Sequence, residues 1–391
     1  MSHTDYVIIG GGMTGAAAAE GIRELDKEGT IAMISAEHAP PYDRPPLSKK
    51  LWHGKKTVDQ IAAPLPRDVE LHLGRRVVSL DPDRRHLVDD TGRVFNYGQL
   101  LLATGGTPRR LPFGGDAVNY YRTVDDYLAL RADVERGASF VVIGGGFIGS
   151  EVAAALRSQG NEVAMVFPDG GITDRLFPPD MSADINDYFR KQGVQILNGE
   201  SVSDIELTDD GSVVITKSGL RLSADRVVAG IGIKPSTDLA ESIGLTVDNG
   251  IIVDRYLRTD RPAIFAAGDV ANYPDAILGG RRRVEHADAA RAMGRAAGRN
   301  MAGAAEPYHY LPMFYSDMFE LGYEAVGRLD SRMKLVEDWQ EEFRRGVVYY
   351  LDDDRVRGVL LFDVWDKVDE ARALIEAGEQ VDPASLIGRI R

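Results

Sequence analysis

Tyr6-Val7-Ile8-Ile9-Gly10-Gly11-Gly12-Met13-Thr14-Gly15 is repeated in kind by Phe140-Val141-Val142-Ile143-Gly144-Gly145-Gly146-Phe147-Ile148-Gly149. Each copy reads as an apolar strand, a glycine turn and an Ala-rich helix. A single G-x-G-x-x-G is a weak signal, because glycine-rich turns are common. Two, each set between a strand and a helix, are specific. The glycines permit the tight turn and let backbone approach a pyrophosphate at the positive end of a helix. Two such turns predict two dinucleotides, and the natural pair is a flavin held permanently and a nicotinamide that comes and goes.

The sequence around each turn repeats as well. After the first helix comes a strand at Thr30–Ile34, and Glu37 follows 22 residues after Gly15, where a ribose-binding acid belongs. After the second comes a strand at 162–167, then Asp169, 20 residues after Gly149. Leu100-Leu101-Leu102-Ala103-Thr104-Gly105 closes the first block, and Val227-Val228-Ala229-Gly230-Ile231-Gly232 closes the second. A third strand, Ile264-Phe265-Ala266-Ala267, ends in Gly268-Asp269, which delivers a short acid to where it can accept from a sugar hydroxyl. A helix is expected at about 287–303. Residues 308–391 alternate like antiparallel strands, with Asp352-Asp353-Asp354 as a hairpin turn, and end in a helix at about 366–377.

Composition narrows the function. The chain has 391 residues, a net charge of -14 and no cysteine. Its length calls for two or three domains. The negative charge disfavours nucleic acid as a partner. No apolar run approaches the ~20 residues of a membrane span. A strand beginning by Tyr6 leaves no room for a leader peptide, so a cytoplasmic protein is expected. Without cysteine there is no redox-active disulfide, no cysteine peroxidase and no cysteine-ligated cluster. Electrons must leave the flavin directly, to an outside acceptor. No metal site is expected.

Four strings carry a resemblance. Pro41-Tyr42-Asp43-Arg44-Pro45-Pro46-Leu47-Ser48-Lys49 is similar to the ferredoxin-reductase-like flavoproteins. Arg281-Arg282-Arg283-Val284-Glu285-His286 and Met313-Phe314-Tyr315-Ser316-Asp317, the latter with Gly322-Tyr323-Glu324-Ala325-Val326-Gly327, resemble the apoptosis-inducing-factor-like NADH oxidoreductases within that group. The likeness runs over essentially the whole chain. It implies an α/β fold of two Rossmann-like nucleotide-binding domains plus a C-terminal α+β domain. The FAD domain would be discontinuous, 1–108 and 246–307, the NAD domain 109–245, and the C-terminal domain 308–391.

The resemblance also implies roles. FAD is held without a covalent bond. The glycines Gly10, Gly12, Gly15, Gly144, Gly145 and Gly146 form the two turns, Arg44 pairs with the flavin pyrophosphate, and Asp269 binds the ribityl chain. Lys49, paired with Glu151, lies against the reactive edge of the flavin. Phe147, on the same helix face as Glu151, lies where nicotinamide stacks. Glu285 contacts the nicotinamide amide, and His286 packs on the flavin side. Asp169 binds the adenine ribose and favours NADH, with Arg175 beside it. Tyr315 stands where the relative has a tryptophan near the nicotinamide. Further cofactor contacts are expected from Met13, Thr14, Val77, Ala103, Thr104, Gly105, Arg109, Ile148, Gly232, Ala287 and Glu324. Arg281-Arg282-Arg283 has two readings, a solvated basic strand or a docking patch for an acidic carrier.

The implied activity is hydride transfer from NADH to FAD, with electrons passing to a quinone, oxygen or a small redox protein. Two alternatives stand beside it. One is the ferredoxin or rubredoxin reductase component of an oxygenase system. The other, of a different class, is an NADH-controlled interaction protein that dimerises on reduction. The protein is expected as a monomer or homodimer.

Overall fold

A computed structural model describes residues 3–391 and forms two compact units. The first comprises Met1–Arg44, Val58–Thr107 and Lys234–Pro312. The second comprises Pro45–Thr57, Pro108–Ile233 and Met313–Arg391.

In the first unit, strand His3–Ile9 pairs in parallel with Ile31–Ile34 on one side and Val94–Leu102 on the other. Val69–His72 extends the sheet in parallel beyond Ile31–Ile34, and Ile264–Ala266 pairs in parallel with Val94–Leu102. Val7 and Ile8 are fully buried, as are Leu100 and Leu101. Strands covered on both faces carry continuous apolar runs, which is why these read as V-I-I and L-L-L rather than alternating. The carboxyl ends of the central strands are tied together. The Gly10 N–H donates to Ile34 O at 2.8 Å, Ala103 N–H to Ile9 O at 2.8 Å, and Ala267 N–H to Leu102 O at 3.2 Å. Gly10, Ala103–Gly105 and Gly268 therefore emerge side by side, at the edge where doubly wound sheets bind nucleotides.

Helix Met13–Leu25 crosses helix Ala287–Met301 at backbone contact distance. A Cβ on Gly294 would lie 2.3 Å from Thr14 O, one on Gly298 2.0 Å from Ala18 O, and one on Gly21 2.2 Å from Arg295 O. Glycine costs helix propensity at these positions, about 1 kcal/mol against alanine. The crossing requires it nonetheless, because any side chain there meets backbone that cannot swing away.

The second unit repeats the parallel arrangement. Its sheet runs Gln195–Asn198, Val163–Phe167, Phe140–Ile143, Arg226–Ala229, Val118–Tyr120. Helix Phe147–Ser158 starts directly at the glycine turn. An antiparallel sheet of three strands, Val202–Thr208, Gly211–Thr216 and Arg221–Ala224, accompanies it. The C-terminal part is an antiparallel sheet in the order Met313–Met318, Leu321–Gly327, Arg355–Phe362, Arg345–Asp352, Lys334–Glu341, with helix Val368–Ala377 packed on it. The Asp353-Asp354 hairpin has φ of 53° and 55°, the two left-handed positions that a right-twisted two-residue turn needs.

Segment Pro45–Thr57 packs within this second unit although first-unit sequence flanks it. Buried Trp52 packs edge-on against Tyr127 at 5.0 Å and donates through Nε1 to the Tyr121 hydroxyl at 3.2 Å. That hydroxyl donates in turn to Leu47 O. Gln159 Nε2 donates to Trp52 O at 3.0 Å. The turn of 3-10 helix at Pro45–Ser48 is thus clamped against helix Val124–Glu135 and the end of helix Phe147–Ser158.

Gly298→Ala tests the helix crossing. The overlap outweighs the propensity gain, so the variant should lose about 1–3 kcal/mol of stability, read as a lower denaturant midpoint. A variant as stable as the parent would show that the helices can separate freely.

Candidate active site

The two glycine turns have the same anatomy. Gly10 and Gly144 sit at φ 121° and 115°, and a Cβ on either would overlap a carbonyl oxygen, Ala103 O at 2.1 Å or Gly230 O at 2.4 Å. Gly15 and Gly149 admit no Cβ either, because Gly10 O and Gly144 O lie 2.2 and 2.0 Å from where it would stand. The middle glycines differ. Gly146 faces open space, and Gly12 faces only the Arg44 guanidinium at 3.9 Å. Gly12 and Gly146 are also the N-caps of their helices and supply no capping side chain, and neither helix has an acid in its first turn. The first-turn N–H groups point outward without a side-chain acceptor and carry the positive end of the helix dipole. This cradle fits a dinucleotide pyrophosphate in both units.

In the first unit, Gly268 turns at φ 78° against the Thr14 side chain and presents Asp269 at the start of a 3-10 turn, Gly268–Val270. Arg44 is a partly buried side chain and not a solvated one. It pairs with Glu37, and the Tyr42 hydroxyl also donates to Glu37, at 2.6 Å. Burial opposes the charge of Arg44, but Tyr42 and Glu37 outweigh it and raise its pKa. Thr104 donates to Ser236 O at 2.8 Å, Gly105 turns at φ 62°, and Val77 is half-buried. His286 is the N-cap of the helix that Ala287 opens. Burial pushes His286 down to about 4, against the pull of Asp269 and with the push of Arg282.

The three arginines are engaged by neighbouring groups, although Arg281 itself is exposed and opens the short strand Arg281–Arg282. Arg281 donates to Val253 O at 2.6 Å, Arg282 pairs with Asp275 at 3.3 Å, and Arg283 bonds Asp269 O at 3.1 Å and pairs with Glu285 at 2.6 Å. Arg283 thus braces Asp269, while Arg281 and Arg282 bond Val253 O and Asp275. The basic run cannot reveal this by itself, because the partners are a mixture of backbone carbonyls and the carboxylates of Asp275 and Glu285.

In the second unit, Lys49 and Glu151 meet as expected, with Nζ 2.6 Å from Oε1. Their side chains are only 7% and 3% exposed. Two residues absent from the sequence-based set complete the carboxylate. Ser48 Oγ donates to Oε2 and Ser316 Oγ to Oε1, both at 2.5 Å. The strings around Lys49 and Tyr315 contain both serines; only the tertiary pairing identifies them. Lys49 Nζ also lies 5.2 Å from the Tyr315 ring centroid, a cation–π contact, and Tyr315 is 37% exposed. Phe147 packs edge-on against Phe314 at 5.3 Å, and Ile148 beside it is exposed. A cavity of about 200 Å³ borders the pair, with Asp317, Leu321 and Trp365 in its wall.

The remaining candidates are placed as follows. Asp169 accepts from Arg175 at 3.2 Å, so the acid and the neighbouring cation are partners. Arg109 donates its N–H to Gly232 O at 2.9 Å. Glu324 stands opposite Tyr315 across the strand pair, and burial, reinforced by Asp366, raises its pKa.

Comparison with known proteins accords with this geometry. The family described as pyridine nucleotide-disulphide oxidoreductase matches residues 4–294. The C-terminal family of mitochondrion-associated apoptosis-inducing factor matches 297–341 and 335–377. Apoptosis-inducing factor 1 of Dictyostelium discoideum is 36% identical over 95% of this chain and 78% of its own length. The ferredoxin reductase subunit of 5,5'-dehydrodivanillate O-demethylase from Sphingobium sp. is 35% identical over 98% of this chain and 95% of its own. Among solved structures, putidaredoxin reductase in its covalent complex with putidaredoxin superposes with a TM-score of 0.92 at 31% identity, covering 98% of this chain and 95% of that one.

The His286 environment sets a pH dependence. The unfolded chain takes up a proton near the ordinary histidine value of 6.5, whereas the native state resists until about 4. Between those values the unfolded state binds more protons, so stability falls as pH falls. His286→Gln should flatten that part of the loss, seen as a smaller drop in denaturant midpoint from pH 7 to pH 5 than in the parent. An identical drop would place the histidine in solvent.

Proposed function

The chain belongs to the pyridine nucleotide-disulphide oxidoreductase family and is an FAD-dependent NAD(P)H oxidoreductase, and we propose that it oxidises NADH to supply electrons to a small ferredoxin-type carrier protein. The observation that carries this reading is the pair of open glycine cradles joined in one chain to a buried Lys49–Glu151 pair, with no cysteine to receive electrons. The flavin, when bound, supplies the central chemistry, accepting hydride from nicotinamide and releasing electrons singly.

The protein's own residues bind and orient. In the assignment we favour, residues 1–108 and 246–307 serve FAD, 109–245 serve NADH, and 308–391 complete the fold. Gly10 and Gly12 with their helix N-terminus receive the FAD pyrophosphate, Arg44 adds positive charge, and Asp269 accepts from the ribityl chain. Gly144 and Gly146 do the same for NADH. Phe147 offers a ring to the nicotinamide. Lys49 places a desolvated ammonium beside the flavin, where it favours the anionic reduced form. Glu151 holds that ammonium and limits its motion. Tyr315 adds a second aromatic surface.

Asp169 accepts from the adenine ribose and repels the additional phosphate of NADPH. Arg175 is already engaged by Asp169, which favours NADH over NADPH. The carrier as acceptor is supported by what the relatives are called, a ferredoxin reductase subunit and a reductase captured with putidaredoxin. Among the described residues no helix is long and apolar enough to cross a membrane. A cytoplasmic setting, with NADH and a soluble carrier at hand, goes with this reading.

The test is NADH-dependent reduction of cytochrome c with and without added ferredoxin, alongside direct reoxidation by quinone and oxygen. Ferredoxin should stimulate the rate at least about tenfold, with NADH preferred to NADPH. Full activity on quinone or oxygen alone would make the carrier irrelevant. A long-lived reduced complex with nicotinamide, accompanied by a change in molecular size, would instead favour the redox-controlled interaction protein.

A further inference from the structure

We propose that Ser316 is a positioning residue that, together with Ser48, fixes the Glu151 carboxylate and through it the direction of the Lys49 ammonium; this rests on the reading that the Lys49–Glu151 pair serves the bound flavin. Three donors reach one carboxylate from two other stretches of chain. Lys49 and Ser48 come from the clamped turn at 45–57, Glu151 lies in helix Phe147–Ser158, and Ser316 comes from strand Met313–Met318.

The placement follows from two periodicities. Residues two apart share a strand face, so Phe314 and Ser316 point the same way. Residues four apart share a helix face, so Phe147 and Glu151 do likewise. Strand and helix meet on these two rungs, Phe314 against Phe147 and Ser316 against Glu151. The intervening Tyr315 is exposed while Ser316 is 1% exposed, and the Tyr315 ring still reaches Lys49 Nζ.

The need for two serines is electrostatic. A buried carboxylate must have its lone pairs satisfied. An ammonium is a compact charge on a flexible stem and fixes no plane by itself. With Lys49 as sole partner, the carboxylate could rotate and carry the ammonium with it. Ser48 on Oε2 and Ser316 on Oε1 hold both oxygens, so the carboxylate plane is set by the backbone of two separate segments. Lys49 then meets a stationary acceptor, and its remaining N–H bonds keep one orientation. The effect of Ser316 therefore passes through Glu151 and needs no contact with either cofactor.

A double-mutant cycle decides this. Ser316→Ala should slow reduction of the bound flavin by NADH about tenfold, the scale of one hydrogen bond to a charged group, and shift the flavin midpoint potential. Glu151→Gln should show a loss of its own, and adding Ser316→Ala to it should change neither rate nor potential further. Ser48→Ala serves as the parallel variant if Ser316→Ala folds poorly. Additive effects in the Glu151→Gln background would overturn the proposal and make Ser316 a packing residue. A Glu151→Gln variant with parental rate and potential would instead remove the reading of the pair itself.

Discussion

A carboxylate as deeply buried as Glu151 constrains everything around it. Leaving it without a cation would cost about 3–5 kcal/mol, and leaving an oxygen without a donor would cost more again. The fold meets this with donors from two distant stretches of sequence. Residues 45–57 are drawn away from their sequence neighbours and clamped by Trp52, Tyr121 and Gln159. The C-terminal sheet is brought against the nucleotide helix so that Ser316 can donate. A pair this expensive is poor support for stability alone, because apolar residues of similar volume would serve as well or better. Its presence accords with the chemical role proposed for Lys49.

The glycine turns obey a different constraint, steric and not electrostatic. In each turn the first and last glycines are excluded from bearing a Cβ by carbonyl oxygens near 2 Å, whereas the middle one looks outward from an uncapped helix end. Four positions are spent on turning and packing, and two on leaving room for a ligand. The duplication therefore preserves a division of roles within the motif as well as its spelling.

This difference explains what sequence could convey. Steric demands on glycine are written position by position, so both cradles, the strands feeding them and the Asp353-Asp354 turn are legible. The Lys49–Glu151 pair spans about a hundred residues and is legible only through resemblance. The donors Ser48 and Ser316 are ordinary serines in sequence and acquire meaning only where a helix face meets a strand face. The partners of Arg281, Arg282 and Arg283 include Val253 O, Asp275 and Asp269 O, which the basic run does not name by itself. The unit to which Pro45–Thr57 belongs depends on aromatic packing against Tyr121 and Tyr127, which no local pattern announces.

The family's description includes disulphide chemistry, and this chain has no cysteine with which to perform it. What remains is a reductase that must hand its electrons outward, and the proposal is that nearby charge tunes its flavin. The central claim is that Lys49 supplies that charge. Anaerobic titration of the bound flavin in Lys49→Gln addresses it directly. The account predicts a lower midpoint potential than in the parent, because the anionic reduced form loses its cation. An unchanged potential, with FAD fully retained, would contradict it.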